Sequence, residues 1–409
     1  MGGRLSKIAW AALLLCSIGV QVEGQMKSME NTQAGASKAS AANDRFALAL
    51  FDAVKTPERN TVVSSVCVSH GLYLAAAGAR GATRQQMLTM LGKDDSRGAV
   101  DAWLKIAHQL HGDPQRDLDL SVAAGVWSNR GVPLQPGFVS IAKDKFSAAV
   151  GELDFAQPTS ADVINSWVAG KTNGKINRIV DSKTLAGNIL LLASTAYLKA
   201  PWTNPFRPEQ TQDEDFTTAG KTVRVKMMHQ NQDHPAYYGE DDSFQTLSLA
   251  FGYGDVAMWI VLPRKADGLE AAEKVLANKG MDGLLGKRKT NVRVEIALPR
   301  FKITSGFELN DPLKKMGMTD AFSSHADFSG LTEIRPAFLS RVMHSVLIET
   351  DEKGTEAAAV MVAMVGAAIQ RVPPENVSFR ADHPFLFMIT HADTGAILFV
   401  GHVVDPSAE

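Results

Sequence analysis

Few residues of this 409-residue chain are arranged to do covalent chemistry. It holds 10 histidines, yet no His-Glu-x-x-His sets two imidazoles one helical turn apart for zinc. No Gly-x-Ser-x-Gly turn presents a strained nucleophilic serine. Gly170-Lys171-Thr172 ends like a phosphate loop but lacks the upstream glycine that lets backbone N–H groups cradle a phosphate, so it reads as an ordinary helix end. Ser64, Ser69 and His344 supply hydroxyls and an imidazole, but nothing in their local sequence brings them together. No catalytic residue is assigned, and no metal or other cofactor is expected.

The most unusual stretch is 349–372. Glu349-Thr350-Asp351-Glu352-Lys353-Gly354-Thr355-Glu356 is charged and contains a glycine. It leads into Ala357–Ile369, which is apolar, uncharged and free of proline. Pro373 and Pro374 follow soon after. The apolar run is too short for a membrane helix, which takes about 20 residues. Its Ala and Met favour helix and its Val and Ile favour strand, so periodicity alone does not decide its state.

These residues carry a family likeness. Glu352-Lys353-Gly354-Thr355-Glu356-Ala357-Ala358-Ala359 resembles the proximal hinge of the reactive-centre loop of serpins. Phe379-Arg380-Ala381-Asp382-His383-Pro384-Phe385-Leu386-Phe387 resembles the segment that follows that loop. Further similar segments are Asn60–Val68, Lys199-Ala200-Pro201-Trp202, Leu298-Pro299-Arg300-Phe301-Lys302-Ile303 and Ala326-Asp327-Phe328-Ser329-Gly330. The resemblance implies an α+β serpin fold with three β-sheets, about nine helices and an exposed reactive-centre loop over about 352–378.

It also implies a mechanism. A protease attacks the loop as bait and forms an acyl-enzyme. The cut loop then inserts into the main sheet and drags the protease into a distorted state that no longer deacylates. Hinge residues are Glu352, Gly354, Thr355, Glu356, Ala357, Ala358 and Ala359; from Gly354 onward they are the small, uncharged run expected of an inhibitor, with Glu356 the one charge inside it. Counting from the hinge puts the scissile bond at Ala368-Ile369, with Arg371-Val372 the rival and Met364-Val365 a third. Ala368 suits elastase-like or subtilisin-like serine proteases, and Arg371 a trypsin-like one. Ser64, Cys67, Ser194 and His344 match the shutter beneath the main sheet, and Trp202 the breach at its top. Ser194 stands where the family has Asn, Ser65 where it has Pro, and Cys67 where it has Ser. The shorter Ser194 predicts a lost or water-bridged bond to His344. A non-inhibitory serpin (carrier, chaperone or substrate) is the alternative reading, and a secreted hydrolase a more distant one.

Composition sets the frame for these elements. At 45 % hydrophobic the chain can bury a large core. A net charge of −2 and no dense Lys/Arg run give no reason to expect nucleic acid or an anionic membrane as partner; a monomer is expected. Arg4 and Lys7 precede the apolar run Ile8–Val20, with Val22 and Gly24 placed for cleavage. This is the layout of a signal peptide over 1–24, so the expected location is extracellular, or periplasmic in a bacterium. Leu15 before Cys16 argues against a lipoprotein anchor. Residues 25–42 read as a flexible polar arm and 43–409 as one domain. Cys67, alone in the mature chain, reads as a buried inert thiol. Asn43 is placed to cap a first helix, and Thr83 with Gln86 to make a capping box. Val163, Ile164, Trp167 and Val168 share a helical face. Ile189–Tyr197 reads as a strand covered on both sides. Asn376-Val377-Ser378 is a sequon just past the loop.

Overall fold

The computed structural model describes residues 41–92, 119–355 and 373–408. Residues 1–24 and 25–40, the hinge residues Glu356 to Ala359 and all three candidate scissile bonds lie outside them.

Three sheets organise the chain. The main sheet runs in the order Phe301–Glu308, Leu339–Thr350, Leu190–Pro201, Asp119–Asn129, Ala149–Leu153. Its two inner strands, Leu339–Thr350 and Leu190–Pro201, lie parallel, with Leu339 opposite Leu190 and Leu347 opposite Tyr197. Leu190–Pro201 is buried almost throughout, as its apolar run predicts for a strand covered on both faces. A seven-stranded sheet includes Thr61–Val63, the C-terminal pair Ile397–Val403 and Phe385–His391, and the pair Val256–Pro263 and Phe244–Phe251. A four-stranded sheet sets Glu375–Arg380 parallel to Val292–Pro299, followed by Thr222–Asp233 and Gln212–Thr217. Asn376 is exposed in that outer strand. The strand therefore begins inside the range expected for the loop.

Eight helices are present among the described residues: 41–54, Ser65–Gly78, Gly81–Met90, Pro136–Phe146, Pro158–Lys171, Ser182–Leu185, Leu269–Lys279 and Asn310–Lys315. Ser65–Gly78 is buried on nearly every side, because it lies between the main sheet and the C-terminal strand Ile397–Val403. It places Ser64, Ser65 and Cys67 directly beneath the inner strands. Pro158–Lys171 crosses the other face. Ile164 and Val168 are buried there, and Trp167 meets Trp127 edge-on at 5.0 Å. Val163, expected on the same face, is 49 % exposed.

Both expected caps are replaced by tertiary bonds. Asn43 lies within the helix 41–54 and is buried, its Nδ2 donating to the Ile397 carbonyl at 3.0 Å. The helix Gly81–Met90 begins ahead of Thr83. Thr83 Oγ1 instead accepts from the Asp327 amide at 3.0 Å, and Gln86 Oε1 from the Asp320 amide at 2.9 Å. Short polar side chains serve whichever backbone donor the fold brings closest, so cap signals carry over poorly where a loop packs on the helix end.

Candidate functional site

The two inner strands of the main sheet stay paired only as far as Tyr197 and Leu347. Beyond that they part, and the chain that leaves Thr350 turns back into the gap. Asp351 makes the turn, its Oδ1 accepting from the amides of Lys353 at 2.8 Å and Gly354 at 3.2 Å. Such an Asx-type turn reverses a chain without help from a neighbour. Gly354 has φ +130, and a Cβ there would lie 2.3 Å from the Ala200 carbonyl and 2.6 Å from the Trp202 nitrogen. Only glycine fits both the conformation and the space. Gly354 and Thr355 then pair antiparallel with Pro201 and Ala200.

The described hinge residues Glu352, Gly354 and Thr355 are buried, contrary to the expectation of an exposed loop from its first residue. Thr355 is 1 % exposed and donates its hydroxyl to the Ala200 carbonyl at 3.1 Å. Glu352 is 4 % exposed and is held by Arg300, whose Nε lies 2.8 Å from Oε1, and by the Thr211 hydroxyl. Burial opposes ionisation of the Glu352 carboxyl, but these bonds outweigh it and hold the group below the usual carboxylate range.

Trp202 clamps the turn from the other side. Its amide donates to the Lys353 carbonyl and its indole Nε1 to the Asp351 carbonyl, both at 2.8 Å. Its ring stacks on Phe251 at 4.2 Å. The Phe206 amide adds a bond to the Glu352 carbonyl at 2.9 Å. Trp202 was legible as a site residue in the sequence. Arg300, Thr211 and Phe251 were not, because each lies far along the chain and carries no local mark of its partner.

A second constellation lies midway down the same two strands. His344 is fully buried, directly opposite Ser194 across the parallel pair. The Ser64 amide donates to His344 Nε2 at 3.2 Å. An N–H donor facing Nε2 requires that nitrogen to be unprotonated, so the imidazole proton sits on Nδ1. Nδ1 lies 3.1 Å from Ser194 Oγ, which passes its own hydrogen to the Met343 carbonyl at 3.4 Å. The bond expected to be lost or bridged by water is therefore direct: serine suffices because the parallel register puts the two side chains in contact. Burial pushes His344 down to about 3, which keeps it neutral at physiological pH.

Nothing in this cluster works as a nucleophile. The Ser64 hydroxyl donates to the Leu398 carbonyl at 3.0 Å and faces away from the imidazole. Ser69 is buried in the helix Ser65–Gly78. Cys67 is buried 3.7 Å from the Ala123 carbonyl, and burial pushes its thiol up to about 12. That is far above the range of a reactive thiolate. Among the described residues no group of three His, Cys, Asp or Glu is placed to hold a metal ion, and no helix is long and apolar enough to cross a membrane.

A third feature lies away from both. The helices 41–54 and Leu269–Lys279 and the face of the seven-stranded sheet border a cleft, open to solvent, of about 1220 Å³, lined by Leu48, Trp259, Met281 and Met388 with Asp44 among them. Burial raises the Asp44 carboxyl to about 6, against a hydrogen bond from the Ile397 amide.

Comparison with known proteins accounts for the whole arrangement. A family model described as serpin (serine protease inhibitor) matches residues 41–406. Serpin-Z2B of Triticum aestivum is 33 % identical over 387 residues, 88 % of this chain and 95 % of that protein. Leukocyte elastase inhibitor of Bos taurus is 33 % identical over 396 residues, 90 % of this chain and 99 % of that protein. The crystal structure of human thyroxine-binding globulin superposes with a TM-score of 0.80 at 29 % identity, over 91 % of this chain and all of the other. The sequence motifs, the three sheets and these matches together make this chain a member of the serpin family.

Proposed function

We propose that the chain is a secreted suicide-substrate inhibitor of serine proteases and adds no catalytic group of its own. The observation that carries this reading is the pairing of Gly354 and Thr355 with Pro201 and Ala200. The start of the loop already occupies the mouth of the gap and runs back between the two inner strands.

Continuing that register gives the path of insertion. Gly354 faces Pro201 and Thr355 faces Ala200, so each further residue of the loop faces the residue one earlier in the strand. Ala359 would then face Ala196, Met361 would face Ser194, and Val365 would face Leu190, the first residue of that strand. Insertion replaces one parallel ladder by two antiparallel ones, which are slightly more stable per residue. With each added bond contributing roughly 0.5–1.5 kcal/mol net, the gain is on the order of 10 kcal/mol. An uncut loop is tethered at both ends and does not collect it; cleavage releases one end. Glu356 is the one charged residue on the inserted strand, and the alanines after it present no bulk to the closing sheet.

The scissile bond is assigned to Ala368-Ile369, with Arg371-Val372 as the rival. The target is accordingly an elastase-like or subtilisin-like protease in the first case and a trypsin-like one in the second. Residues 1–24 act as a signal peptide in this reading, which puts the inhibitor outside the cytoplasm. Incubation with pancreatic elastase, subtilisin and trypsin tests it. The expected result is a band at the sum of the two masses that survives boiling in detergent. The released C-terminal peptide then starts at Ile369 or Val372. Clean cleavage with every protease left active would overturn the inhibitor reading.

One observation favours a second reading, that of a carrier. Thyroxine-binding globulin bears a small molecule in its name, and the cleft beside helices 41–54 and Leu269–Lys279 is large and mainly apolar. The two readings separate in one measurement: a carrier is cut without trapping its protease.

A further inference from the structure

The end of the loop is pinned as firmly as its start, and to a turn of unusual charge. The Glu375 amide donates to the Asn291 carbonyl at 3.0 Å, and Asn291 Nδ2 donates to the Pro373 carbonyl at 3.3 Å. Lys289 Nζ lies 2.8 Å from Glu375. The chain leaving the loop is therefore fastened to residues 289–291; Lys287 and Arg288 precede them directly and with Lys289 make a short basic run, contrary to the expectation that the chain has no dense Lys/Arg run.

The three cations are not equivalent. Lys289 is engaged by Glu240 at 2.7 Å and Glu375 at 2.8 Å, and Glu240 is also taken by Arg264 at 2.6 Å. Lys287 and Arg288 are exposed and have no carboxylate within ion-pair distance among the described residues. They are also held in place. Their backbone pairs with Glu240 and Gly239, and Arg288 lies over the Tyr237 ring at 5.5 Å. Arg288 also donates from Nη2 to the Ala236 carbonyl at 3.2 Å, but neither charge is neutralised, and exposed charges contribute little to stability.

Their position relative to the cleaved bond is set by chain length. From Ile369 to Pro373 an extended chain spans at most about 14 Å, and from Val372 it is the next residue. A protease seated on either bond must cover the chain after the cut, which brings the rim of those subsites against this turn. We propose that Lys287 and Arg288 form a steering surface for the target protease, one that fits an enzyme with an acidic patch beside its primed subsites. Opposite charges at such a rim raise the association rate, and this gain weakens with salt. The proposal rests on the inhibitor reading for its partner, but it concerns docking and not trapping.

The test uses whichever of pancreatic elastase, subtilisin and trypsin attacks the loop fastest, in native form and with its surface amines succinylated. The active site is then the same and the surface charge differs. The second-order rate of loss of intact chain is followed for the wild type, K287E/R288E, K287A/R288A and, as a control on a distant helix, K143E. At about 20 mM salt the succinylated enzyme is expected to attack the wild type roughly tenfold faster than K287E/R288E. K287A/R288A should lie between them and K143E should match the wild type, with the differences collapsing at about 500 mM salt. Equal rates for wild type and K287E/R288E would overturn the proposal. So would the same deficit toward native and succinylated enzyme, or a deficit that appears only when heparin is added, which would mark the turn as a polyanion site. Loss of intact chain is read whether or not a complex forms, so failure of trapping and failure of steering are told apart.

Discussion

The same two strands, Leu190–Pro201 and Leu339–Thr350, are open at one end and locked in the middle. At the open end the gap is filled by the start of the loop, clamped by Trp202, Arg300 and Thr211. In the middle, His344 and Ser194 bridge the strands directly over Ser64. The first region is held by bonds from Trp202, Arg300 and Thr211 to the turn residues Asp351 and Glu352, the second by a buried neutral imidazole. Under the inhibitor reading, the hinge determines whether insertion begins and the shutter whether it continues. In that reading the bridged middle keeps the sheet closed until a strand is driven in from the open end.

Acid should break this comparison most strongly. The unfolded imidazole titrates near 6.5, and folded His344 is held down to about 3. Its contribution is thus fully present above pH 6.5 and is lost as pH falls toward 3, by up to about 5 kcal/mol. Denaturant unfolding at pH 7.5 and 5 should show this loss, and His344→Gln should flatten it. Glu352 has a depressed carboxyl, so its contribution is lost at lower pH, below the ordinary carboxylate range. The shutter should therefore loosen before the hinge does.

Thr355→Arg attacks the open end alone. A charge at this 1 % exposed position costs roughly 3–5 kcal/mol if it stays unpaired. Boil-stable complex should fall to background on gels while cleavage of the loop continues; persistence of the complex would refute insertion. Arg300→Ala leaves the Glu352 carboxylate buried with only the Thr211 hydroxyl and its own backbone amide as partners, a loss of about 2 kcal/mol by thermal unfolding. It should also free the hinge, seen as faster proteolysis near Gly354. Ser194→Ala, the mildest change, removes one bond to His344 and should cost about 1 kcal/mol. Its signature is faster conversion to a loop-inserted state on warming, with the hinge contacts unchanged.

Much of the frame could be read directly. Strand runs such as Ile189–Tyr197 and the alternation Val292, Val294, Ile296, Leu298 report burial by period, and that signal is local. Trp202, His344 and the Gly354-Thr355 step stood out through motifs in contiguous residues. The caps did not: Thr83, Gln86 and Asn43 found partners on distant segments. Their chemistry is short-range, but their choice of partner is not. Nor could the burial of Glu352 be foreseen, since a charged residue in a charged run looks solvated until Arg300 arrives from 52 residues away along the chain.

By itself, the sequence determined which segments are strands and that an apolar uncharged run follows a charged, glycine-containing hinge. These are properties of neighbouring residues, set by backbone sterics and by the period of burial. Only the tertiary structure decided that the inner strands part beyond Tyr197, that Thr355 already sits in the gap, that Ser194 reaches His344 directly, and that a basic turn fastens the loop's exit. Each of these depends on the register between segments far apart in the chain. Register is fixed by packing across sheets, and no local run of residues contains it.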